Sequence, residues 1–96
     1  MPDWTFLSNY GQVLLCIAHD PSIRLRDIGD QVGITERAAH RIVGELDDAG
    51  YLARERDGRR NRYTISQDLP LPDRLARNQK IGELLEILTA TPGDAR

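Results

Sequence analysis

Apolar residues repeat at helical spacing in four stretches of the chain and alternate with polar ones in a fifth, and these rhythms predict its elements. Ser8 precedes Tyr10, Val13, Leu14, Ile17 and Ala18, which share one broad face, so a first helix capped by the serine runs to about His19. Asp20-Pro21-Ser22 is a turn. Leu25, Ile28 and Val32 then recur at steps of three and four until Gly33, where a left-handed residue costs least and the second helix ends. Thr35 caps a third helix whose inner stripe is Ala39, Ile42, Leu46 and Ala49, and Gly50 stops it. Tyr51 to Arg56 and Arg60 to Ile65 have period two on either side of Asp57-Gly58, which predicts a hairpin with Leu52, Tyr63 and Ile65 turned inward. Pro70 and Pro72 make 67–72 a stiff linker. From about Asp73 the helical rhythm returns through Leu75, Ile81, Leu84, Leu85 and Leu88, with Thr91-Pro92-Gly93 as its stop.

Leu25 to Gly50 therefore reads as two short helices joined by a tight turn, and Gly29 leaves room for the later helix to cross closely. Gly29 and Gly33, with Ile28, Val32, Ile34, Ala39 and Ile42 as the apolar set, resemble the helix-turn-helix of bacterial and archaeal transcription regulators. Tyr51 to Ser66 resembles the wing that follows this motif in winged helices, so the chain is similar to the small MarR-like group over about two thirds of its length. The fold expected is mainly α with a small antiparallel β wing. Residues 1–66 form the DNA-binding domain, 67–72 the linker, 73–90 a C-terminal helix and 91–96 a tail. Ile23-Arg24-Leu25 corresponds to the short strand that winged helices place before the second helix. The resemblance also implies a homodimer held by terminal helices, and a repressor more often than an activator.

Composition both narrows and opposes this reading. Ninety-six residues make one domain. No run approaches the roughly 18 apolar residues of a membrane span, and the opening Met-Pro-Asp-Trp has no leader character, so a cytoplasmic protein is expected. Cys16 stands alone in an apolar run, and with only His19 and His40 beside it neither a disulfide nor a metal site is expected. No cofactor motif and no catalytic constellation appear, so an enzyme is not expected. The net charge of −2 and the pI near 5.6 argue against nucleic acid, whose binders are usually basic. Residues 51–66, however, hold five arginines against Glu55 and Asp57, a local +3 that leaves −5 on the rest. Because charges more than about 8 Å apart are largely screened at physiological salt, the local sign governs contact with phosphate.

The inner stripe of the third helix decides which residues face outward. Arg37, His40, Arg41 and Gly44 lie opposite it, with Glu36 at the N-terminal edge. A helix in the major groove reads base edges mainly with its N-terminal residues, which selects Glu36, Arg37, His40 and Arg41. Arg59 and Arg60, at the hairpin tip, suit a narrow minor groove. Arg54, Arg56 and Arg62, with Arg26 and Thr35 at the two helix starts, suit the DNA backbone, and Arg24 flanks Arg26. Trp4, Phe6, Ile81, Leu84, Leu85 and Leu88 are the expected dimer contacts, although the last helix can instead fold back on the first. No sensing constellation points to a small-molecule effector. The alternative function is a winged helix that docks a protein partner through its acidic surface without binding DNA.

Overall fold

The computed structural model describes residues 2–90, so the expected stop at Thr91-Pro92-Gly93 and the 91–96 tail lie outside the described residues. Three helices come first: α1 (Asn9–His19), α2 (Leu25–Val32) and α3 (Glu36–Asp48). Ser8 Oγ accepts from Gly11 N at 3.3 Å and Thr35 Oγ1 from Ala38 N at 3.0 Å, so both predicted caps form. Gly33 closes α2 at φ 87°, and Gly29 O accepts from both Gly33 N and Ile34 N. The crossing of α2 and α3 is close enough that a Cβ on Gly29 would lie 2.7 Å from Ile34 O. Val13, Ile17, Ile28, Ile42 and Val43 are the most completely buried side chains, so the three helices share one core. Val43 joins that core, whereas Ala49 is the exposed C-cap and not the end of the inner stripe.

The wing is an antiparallel pair, β1 (Leu52–Asp57) and β2 (Arg60–Ile65), in register from Leu52 opposite Ile65 to Asp57 opposite Arg60. Its turn is centred on Gly58-Arg59, with positive φ at Gly58 alone, the requirement of a hairpin turn whose first central residue is glycine. Leu52 and Tyr63 bury at its base, and Ile65 packs against the core beside them. The strand expected at Ile23-Arg24-Leu25 does not form: Leu25 is already helical, and Ile28 N bonds to Arg24 O. A backbone bond from Tyr63 N to Pro21 O, 2.8 Å, ties that turn to β2 instead.

The C-terminal segment departs most from its pattern. Helix is confined to a short 3-10 turn, Arg74–Ala76, and to α4 (Ile81–Thr89), where a continuous helix from Asp73 was expected. The reason is hydrogen bonding by the supposed linker. Leu71 N to Gln79 O, Ile81 N to Leu69 O and Gly82 N to Gln67 O, each 2.9 Å, run 67–71 antiparallel along 79–82 and engage groups that a longer helix would need. The Tyr51 hydroxyl donates to Pro70 O at 2.6 Å, which fastens the same segment to the end of the helix-turn-helix. Residues 67–71 are thus a hydrogen-bonded seam, not a free linker. Beyond it α4 folds back on α1, and Ile81 (4% exposed) and Leu85 (5%) complete the core of their own subunit. This corrects the expectation that both side chains lie in a dimer interface; Leu84 is half-buried against the same core, while Leu88 stays exposed.

Candidate nucleic-acid interface

The starts of α2 and α3 and the tip of the wing meet around one cleft of about 510 Å³. The local reasons are visible in the sequence. Arg24 is the N-cap of α2 and Arg26 lies in its first turn, Glu36 opens α3 behind the Thr35 cap, and the tight turn at Gly58 sets Arg59 and Arg60 at the tip. Arg24, Arg26, Arg59 and Arg60 all line the cleft, with Glu36 as its acidic member. The Arg60 guanidinium donates to Ser22 O at 3.4 Å, which holds the tip against the turn before α2. Four arginines from two separate elements make this a local concentration of positive charge in a chain of net charge −2. Arg24, expected only to flank Arg26, lines the cleft beside it.

The other arginines diverge. Alternation along the ribbon puts Arg54 and Arg56 on the face shared with Tyr63 and Asn61, and Arg60 and Arg62 on the face shared with Glu55 and Asp57. Arg54 Nε pairs with Asp47 Oδ2 at 3.2 Å, joining β1 to the last turn of α3. Arg56 Nε donates to Gly58 O at 3.1 Å and braces the wing turn. Arg62 lies in a different groove, between β2 and α4, with Glu86 and Thr89. The five wing arginines therefore do not act as one patch; only the two at the tip reach the cleft.

On α3, Arg37 and His40 are exposed as the stripe requires. Arg41 is diverted. Its Nη1 donates to Glu45 Oε1 at 2.7 Å and to the Tyr10 hydroxyl at 3.5 Å, and Tyr10 in turn donates to Glu45 Oε2 at 2.9 Å. The bond to Tyr10 and then the Glu45 carboxylate hold the Arg41 guanidinium further toward its charged form than usual. The i,i+4 spacing of Arg41 and Glu45 was readable in the sequence, but the approach of Tyr10 from α1 was not. Thr35 Oγ1 is engaged as a cap, leaving its hydroxyl hydrogen to donate at an exposed position. Among the described residues no group of three or more His, Cys, Asp or Glu could hold a metal ion, and no helix is long and apolar enough to cross a membrane.

Comparison with known proteins bears on this geometry. Residues 11–53, from α1 through α3 to the start of β1, match the family model described as winged helix-turn-helix DNA-binding. The fold is similar to that of a MarR family protein of Mycobacterium tuberculosis solved in complex with salicylic acid, with a TM-score of 0.56 at 20% identity. That likeness covers 85% of this chain but only 57% of the other, so the chain spans little more than half the length of the protein it resembles. No curated protein matches the sequence. Three helices packed around a close α2–α3 crossing, a two-stranded wing and a segment that matches the winged helix-turn-helix model give this chain a winged helix-turn-helix fold, similar to that of the MarR family protein.

Proposed function

We propose that the protein is a transcription regulator that binds double-stranded DNA in a sequence-specific manner and acts as a repressor by occupying its operator. The observation that carries this reading is the convergence of Arg24, Arg26, Arg59 and Arg60 beside the start of α3. In this arrangement the exposed N-terminal half of α3 enters the major groove, with Arg37 and His40 reading base edges. Glu36 lies at the margin between α3 and the cleft, where it can accept from a cytosine amino group. The cleft arginines take phosphates of the flanking backbone, and the wing tip reaches the adjacent minor groove. Arg41, Arg54 and Arg56 serve first as internal braces, with Arg62 apart from the interface.

A second copy of the chain completes the operator complex in this reading, placing two recognition helices about one or more helical turns apart on an inverted repeat. Exposed Trp4, Phe6, Leu75, Ile87 and Leu88 supply apolar surface for that pairing in place of the buried Ile81 and Leu85. The expected setting is the cytoplasm, the role is binding and not catalysis, and no effector is assigned.

Fluorescence anisotropy on mixed-sequence duplex DNA at about 50 and 200 mM salt tests the core of the proposal. Affinity falls steeply between the two, and replacing Arg59 and Arg60 with alanine lowers the slope of log affinity against log salt by about 2. Selection from a random duplex pool returns an inverted repeat. The acidic net charge favours the competing reading of a protein-docking winged helix, and absence of binding at the lower salt selects it.

A further inference from the structure

We propose that Gly44 lets the backbone of α3 lie close against duplex DNA behind the base-reading N-terminal half, a positioning residue whose missing side chain sets how deeply the recognition helix seats. This rests on the DNA reading above and deepens it. Gly44 lies well inside α3, where glycine is the least favourable residue after proline. Nothing within the subunit requires it, because a Cβ there would meet no atom within 4 Å. Gly29 and Gly82 differ: a Cβ on either would come within 2.7 Å of Ile34 O or Gln67 Cβ, so packing accounts for them. Packing within the subunit therefore does not account for a glycine at 44.

Its surroundings suit a close approach. Gly44 follows Arg37 by about two helical turns and so shares its outward side, opposite the buried stripe of Ile42 and Leu46. The two ion pairs among the described residues stand on either side of it. Arg41 and Glu45 are drawn toward α1 by Tyr10, while Asp47 is drawn toward the wing by Arg54. Long side chains are thus held to the flanks, and the carboxylates of Glu45 and Asp47 face DNA already paired. Bare helix backbone can then rest against the groove at van der Waals distance. A side chain at 44 would lever the axis outward and pull Arg37 and His40 beyond hydrogen-bonding range of base edges, since such bonds weaken steeply with distance and angle.

The test compares the parent with Gly44→Ala and Gly44→Leu on two duplexes, the one recovered by selection and a mixed-sequence control. Both variants melt higher than the parent, Gly44→Ala by about 4–8 °C, because each is a better helix former at an open site. Binding moves the other way: Gly44→Leu loses about tenfold or more on the selected duplex, as expected when a bidentate base contact is broken, and Gly44→Ala falls between. Affinity for the control, carried by phosphate contacts, changes much less. Equal affinity of the parent and a well-folded Gly44→Leu for the selected duplex overturns the inference while leaving the DNA reading intact. A parent that binds neither duplex, or from which selection recovers no preferred sequence, overturns the reading of α3 on which the inference stands.

Discussion

Cys16, in the apolar run from Leu14 to Ala18, is 7% exposed, and burial pushes its thiol up from the ordinary value. The folded state therefore keeps the proton where the unfolded chain releases it. Stability from this group is fully present below the unfolded thiol value of about 8.5 and falls as pH rises above it. Denaturant midpoints measured across that range should decline, and Cys16→Ala should flatten the decline even though it lowers the overall midpoint. The native thiol should also resist an uncharged maleimide at neutral pH and react quickly in urea. This behaviour was legible from Cys16's neighbours in sequence, since a run of apolar residues announces burial. Arg41 shows the limit of such reading. Its helical face was correct, but the hydroxyl that helps turn it aside comes from Tyr10, on another helix.

At the scale of elements, the close crossing of α2 and α3 depends on Gly29. Alanine there would force its Cβ to 2.7 Å from Ile34 O and 3.3 Å from Glu36 N, both backbone atoms that cannot swing away. Gly29→Ala should lower stability by about 1–3 kcal/mol in urea unfolding, the usual cost of overpacking, and weaken DNA binding by displacing the start of α3. Helices α1 to α3 and the wing were legible from local signals: the Ser8 and Thr35 caps of α1 and α3, the periodic stripes, the Gly33 stop of α2 and the turn glycine of the wing. The C-terminal helix was legible in its Ile81 to Leu88 stripe but its start was not, because that depends on non-local bonds from 67–71 to 79–82, and no periodicity encodes them. The stripe through Leu75 suggested a longer helix, yet Leu75 is fully exposed (103%) in the structure. Likewise the five wing arginines looked like one patch in sequence, and alternation together with Asp47 and the groove beside α4 divided them.

For the whole molecule, the position of α4 separates folding from association. Leu85 is buried against the subunit's own core, so Leu85→Ala should cost about 2–5 kcal/mol, with a midpoint shift that is the same at low and high protein concentration. A residue whose burial came only from a partner would give a shift that shrinks on dilution. Pairing through exposed Trp4, whose ring packs edge-on against Phe6 with centroids 5.1 Å apart, should instead appear as a concentration-dependent component lost in Trp4→Ala. Net charge belongs to this scale too. At −2 the molecule as a whole is anionic, so the proposed DNA binding relies on a screened, local concentration of arginine. The sequence by itself determined the helix-turn-helix and the hairpin, because helix caps, apolar periodicity and turn glycines act over only a few residues. Tertiary structure alone decided that α4 folds back on α1 and that Arg24 and Arg26 join Arg59 and Arg60 at one cleft. Both depend on contacts between segments far apart in the chain, where geometry and not local preference selects the partner.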